Sequence, residues 1–87
     1  MTIFQKSVKQ ALSNNDNINP DHIIAHKNGS LSAKRSYFYP MGNTAEKWAA
    51  KVAAELTAAG ISANVHGHDA WAAWPKTSYF VAVITEA

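Results

Sequence analysis

The stretch from Asn43 to Gly60 leaves the chain little conformational choice, and the remaining segments have to be fitted around it. Asn43 and Glu46 stand at the spacing of a helix-capping pair, with Asn in place of the Ser or Thr of the strict capping box. Ala45, Trp48, Ala49, Val52, Ala53 and Leu56 recur at helical steps and gather into one apolar stripe. Lys47, Lys51 and Glu55 follow each other at i+4 on the other side as a solvated face, each pair worth only about a few tenths of a kcal/mol. Alanines at 50, 54, 58 and 59 favour the helix and let another backbone approach closely. Gly60 suits the left-handed stop. The pattern predicts a helix over 44–59.

Such a helix has an apolar stripe to bury, and the segments around it have the period of a sheet. Ile61, Ala63 and Val65 alternate with Ser62, Asn64 and His66, and Gly67-His68-Asp69 is expected to break that strand. Ala70 to Trp74 reads as extended or irregular, with room for a short fifth strand, and Pro75-Lys76-Thr77 as a turn. From Ser78 to Thr85 apolar residues occupy both parities, which points to a central strand covered on two sides.

Upstream, Asn28-Gly29 is a strong hairpin signal, because a type I′ turn needs positive φ at both central residues. A two-residue turn pairs His26 with Leu31, Ile24 with Ala33 and His22 with Arg35. It gathers Ile24, Leu31, Ala33, Tyr37 and Tyr39 on one face and Ser32, Lys34, Ser36 and Phe38 on the other. A short helix from Asn19-Pro20, stopped at Gly29, is the competing reading. Thr2 is placed to cap a first helix over 3–13, with Phe4, Val8, Ala11 and Leu12 on one face. The expected fold class is therefore α+β, in the order α-β-β-α-β-β. Its four strands, or five, form an antiparallel or mixed sheet with the helices mainly on one face.

At 87 residues the chain is one domain, 1–87, with room for one modest core. It has no cysteine, so neither a disulfide nor a thiolate metal site supports the fold, and burial must do so. That composition suits a reducing cytoplasm. The longest apolar run, Tyr79 to Ile84, has six residues, far below a membrane span, and the first residues lack the pattern of a signal peptide. A formal net charge of +2 falls short of the dense positive footprint of a dedicated duplex-DNA binder.

Four groups of residues have chemistry to offer. His66, His68 and Asp69 supply two imidazoles and a carboxylate around a glycine, suited to a divalent metal or to proton transfer; a polar turn is the plainer reading. His22 and His26 have a metal-ligand spacing in a helix and lose it in a hairpin. Lys34, Arg35 and Phe38 belong to a basic, aromatic strand of the kind that tracks phosphates and stacks unpaired bases. Strand alternation nevertheless puts Lys34 and Arg35 on opposite faces, and aromatics there are commonly core. Trp71 and Trp74, set among alanines, are interface anchors or a lid on the core. Serines 30, 32, 36 and 78 lack a nucleophile elbow, no glycine-rich phosphate loop is present, and the six acidic residues form no catalytic pair. An enzyme is not expected, nor a cofactor.

Arg35-Ser36-Tyr37-Phe38-Tyr39, a short turn, Thr44-Ala45-Glu46-Lys47, a late Trp and a final aromatic-aliphatic strand together resemble small proteins encoded by bacteriophages, prophages and plasmids. The similarity spans roughly residues 23–86 and leaves out the first helix. It implies a mobile-element accessory protein acting in the cytoplasm of a bacterial host, and it transfers no functional residues. The expectation is a non-enzymatic binding protein, docking through Lys34, Arg35, Phe38, Trp71 and Trp74 on a host or phage protein, such as a defence protein that it inhibits. Single-stranded nucleic acid is the alternative partner, a metal-dependent enzyme at His66, His68 and Asp69 the alternative class, and self-association a further possibility. No membrane partner is expected.

Overall fold

A computed structural model describes residues 1–13, 22–36, 45–72 and 77–87, apart from the side chains of 36, 69–72 and 77–79. The first helix, α1 (Ile3–Ser13), starts where its sequence supplies both halves of a capping box. The Gln5 amide donates to Thr2 Oγ1 at 3.1 Å, and the Thr2 amide donates to Gln5 Oε1 at 2.9 Å, so two otherwise orphaned donors are satisfied reciprocally. Val8 and Leu12 are fully buried, with Phe4 and Ala11 packed beside them.

Strand β1 (His22–Ala25) and strand β2 (Leu31–Ser36) form the expected hairpin, which overturns the short-helix alternative for that segment. Its turn has three residues rather than two. The His26 amide bonds to Ser30 O at 2.9 Å, the Gly29 amide bonds to His26 O at 3.1 Å, and Gly29 has φ of 93°. This is a turn closed by a left-handed glycine, and the extra residue shifts the register by one. Ile23 now faces Ala33, while Ile24 faces Ser32, so Ile24 leaves the core side and stands 40% exposed. The expected pairing of Ile24 with Ala33 is thereby corrected. The division of Leu31 and Ala33 from Ser32 and Lys34 is as expected, since it depends only on strand alternation.

Helix α2 (Ala45–Ala58) buries Ala45, Trp48, Ala49, Val52 and Leu56, the expected stripe with Ala53 at its margin. Its end is a Schellman closure: the Ile61 amide reaches Leu56 O at 2.9 Å, the Gly60 amide reaches Thr57 O at 3.0 Å, and Gly60 has φ of 77°. The capping role expected of Asn43 lies outside the described residues.

Strand β3 (Ala63–Ala72) and strand β4 (Thr77–Glu86) form a ten-residue antiparallel ladder without interruption. The expected break at Gly67-His68-Asp69 does not occur, and residues 70–72 continue β3 rather than forming a fifth strand. Gly67 has a different purpose. A Cβ there would stand 2.6 Å from the carbonyl carbon of Ala45 and 3.2 Å from Ala49 Cβ, so the missing side chain makes room for the first turn of α2.

The sheet order is β1-β2-β4-β3, with every neighbouring pair antiparallel. That settles the choice between antiparallel and mixed, and β4 is central, as its two apolar faces imply. One core cluster joins Val8 and Leu12 of α1, the buried stripe of α2, and Leu31, Ala33, Phe80, Ala82 and Ile84 of the sheet. Leu12, Leu31, Leu56, Ile84, Val8 and Val52 are its largest fully buried side chains. At about 1.5–3 kcal/mol for each such burial, they are the main stabilising term in a chain without cysteine.

Candidate binding face of the sheet

Because both helices contribute to one cluster, the two faces of the sheet are unlike. Side chains at 31, 33, 80, 82 and 84 enter the core, and those at 23, 63 and 65 pack against it. Residues of the other parity lie on the opposite face. Register places them in rows across all four strands: His22, Lys34, Val81, His68, and next to it Ile24, Ser32, Val83, His66. His22, His66, His68 and Asn64 are exposed, Lys34, Val83 and Thr85 half-buried. Val81 is 3% and Ser32 8% exposed although neither belongs to the helix-side cluster, so the middle of this face is shut from solvent and its exposed residues lie along β1 and β3. Among the described residues of the face there is no Asp or Glu, and Lys34 is its only Lys or Arg.

The hairpin loop beside this face is anchored by a residue that hydrophobic pattern alone passes over. Gln5 is 3% exposed, and its Nε2 donates to His26 O at 2.7 Å and Ser30 O at 3.0 Å. The polar identity of Gln5, three residues after Thr2, is the capping-box signal that marks it; its reach to the hairpin is a tertiary fact. Asn28 Oδ1 accepts from the amide of Ser30 at 3.0 Å and from its hydroxyl at 2.6 Å. His26 Nε2 lies 2.7 Å from Ser32 Oγ, which closes the loop end of the face.

The expected site residues separate. Lys34 belongs to the open face. Arg35 does not: it pairs with Phe80 in the other register, and its guanidinium carbon stands 5.7 Å from the centroid of the Trp48 ring. Trp48 Nε1 in turn donates to Ala33 O at 3.1 Å, so Arg35 caps a buried indole on the helix side. Phe38 and Trp74 lie outside the described residues; Trp71 sits opposite Ser78 in β3, with its side chain outside them.

His66, His68 and Asp69 do not form a polar turn. They are strand residues, with His66 opposite Val83, His68 opposite Val81 and Asp69 opposite Phe80. The two histidines therefore share the open face, and Asp69 occupies the alternate register position. Among the described residues no group of three or more His, Cys, Asp or Glu is placed to hold a metal ion. His22 and His26 are not on a helix, so their i+4 spacing is lost. No helix of the described residues is long and apolar enough to cross a membrane. No family model, curated protein or solved structure matches the chain.

Proposed function

We propose that the chain is a non-enzymatic binding protein of bacteriophage or mobile-element type that docks through the open face of its sheet on an acidic surface of a host or phage protein. The observation that carries this reading is the face itself. Its edge strands present His22, Ile24, His66 and His68, its inner strands carry Lys34, Ser32, Val81 and Val83, and no carboxylate occurs among its described residues. Exposed Ile24 and half-buried Val83 set among polar side chains give the mixture of apolar and polar surface that protein interfaces use. Charge complementarity then selects an anionic partner. A protein fits better than nucleic acid because Arg35 is turned to the helix side, and Lys34 alone is a thin footprint for a phosphate backbone. The resemblance of the string from Arg35 to Lys47 to mobile-element proteins directs the docking toward a host factor such as a defence protein, in the cytoplasm of the host.

Affinity capture from bacterial lysate, with and without nuclease, tests the reading. Lys34→Glu reverses the charge on the open face, and Lys51→Glu makes the same change on the exposed side of α2. Wild type and Lys51→Glu should retain a common protein after nuclease, and Lys34→Glu should lose it. Equal capture by both variants would refute docking through this face. Nuclease-sensitive capture, together with salt-dependent binding of generic single-stranded DNA, would make nucleic acid the partner instead.

A further inference from the structure

We infer that His66 and His68 form a two-imidazole clamp for a borderline divalent metal ion, Cu(II) before Ni(II) or Zn(II). Both side chains are exposed and belong to one face of one strand, two residues apart. In extended backbone that separation is about 6.8 Å between Cα atoms. Histidines at i and i+4 of a helix, a proven metal-binding pair, are separated by a similar rise of about 6 Å. The pair read from sequence as part of a polar turn therefore has a metal-ligand separation once residues 66–68 are strand.

The support beneath the pair is firm. Gly67, between the histidines, points to the opposite face, where the backbone of Ala45 leaves no space for a side chain. The strand is thus held between α2 and the central strand β4, and the two imidazoles start from a common, fixed base. His22 lies in the row of His68 but three strands away, about 14 Å at ordinary strand spacing, and cannot join them. The ring of His26 is engaged with Ser32. Across β4 the row partners are Val81 and Val83, which offer no donor atom. The clamp accordingly supplies two nitrogen ligands and leaves the other positions to water or to a donor from outside the described residues. Imidazole ligands suit Zn, Cu and Ni, and affinity at such a site rises to Cu(II) along the first-row series.

Calorimetric titration of the purified protein with Cu(II), Ni(II) and Zn(II) salts, metal alone, tests the clamp. One Cu(II) per chain is expected, bound tighter than Ni(II) or Zn(II). His66→Ala and His68→Ala should each weaken it by about tenfold or more, the lower end of what disturbing even an outer-shell partner of a metal ligand costs. His22→Ala, three strands away, should leave it unchanged. A loss below about fivefold in either clamp variant, or an equal loss in His22→Ala, overturns the inference. Circular dichroism confirms folding, and Asn variants at 66 and 68 replace any Ala variant that unfolds.

Discussion

Gly67→Ala separates two accounts of a glycine in the middle of a strand. If the residue were only a flexible weak point, alanine would stabilise the fold by about 0.5–1 kcal/mol, because glycine loses more backbone entropy on folding. The structure gives the opposite sign. The new methyl carbon would lie 2.6 Å from the Ala45 carbonyl carbon and 3.2 Å from Ala49 Cβ. The first of these neighbours is helix backbone, so no rotamer change relieves it, and the start of α2 must lift from the sheet. Overpacking of this kind costs about 1–3 kcal/mol, which exceeds the entropic gain over most of its range. Lifting α2 also strains the bond from Trp48 Nε1 to Ala33 O, one turn further along. Urea unfolding followed by circular dichroism should show a midpoint clearly below wild type with an unchanged slope, and thermal unfolding a drop of about 4–8 °C per kcal/mol. His66→Ala, the exposed neighbour, should stay within about 0.5 kcal/mol and serves as control. Ala49→Gly should not rescue the variant, because the tighter contact is with Ala45. A Gly67→Ala protein as stable as wild type, or more so, would refute the close-approach argument.

The same unfolding measurement checks substitutions at three further positions. Gln5→Leu keeps the volume but strips the acceptor of the Thr2 amide and the donor shared by His26 O and Ser30 O, for an expected loss of about 2–3 kcal/mol. Faster amide hydrogen exchange confined to residues 26–30 would place that loss at the hairpin loop. Gly29→Ala, at φ of 93°, should cost about 1–2 kcal/mol from the left-handed backbone alone, since nothing lies within 4 Å of the added carbon. Trp48→Phe should cost about 1–2 kcal/mol by leaving Ala33 O without its indole donor, against about 3–5 kcal/mol for Trp48→Ala, which also opens a cavity. Equal losses for Phe and Ala would mean that the ring itself contributes little.

The elements legible in the sequence were those dictated by local chemistry. Helix α1 follows from Thr2 and the spacing of Phe4, Val8 and Leu12, and helix α2 from its apolar stripe and Gly60. The central place of β4 follows from apolar residues on both parities. Two misreadings share a cause, which is that glycine has more than one use. At Asn28-Gly29 the dipeptide specified a hairpin, but the left-handed Gly29 closes a turn of three residues rather than two, so Ile24 changed face. At Gly67 the glycine marked the approach of a helix that starts well upstream, at Ala45, and packs across the strand, information that no local window contains. The candidate site was legible by half for the same reason. Alternation correctly parted Lys34 from Arg35, whereas the common face of His66 and His68 required knowing that the strand continues past Gly67.

The open face is a consequence of how the other face was filled. Gly67 lets α2 sit low on β3 and β4, and Gln5 ties α1 to the loop between β1 and β2, so both helices are committed to one side. On the face away from the helices β3 presents polar Asn64, His66 and His68, and β1 presents His22 together with Ile24, which is 40% exposed. Central β4 adds two apolar side chains to that face, Val81 and Val83. Their burial contributes nothing to the helix-side core, since neither belongs to that cluster. Val81 is nevertheless shut from solvent within the chain itself, so what this face offers a partner is half-buried Val83 and exposed Ile24, beside Lys34 and the histidines. The argument for docking accordingly rests on Val83 and Ile24, residues without chemistry of their own, and the charged and imidazole groups around them determine which surface is accepted.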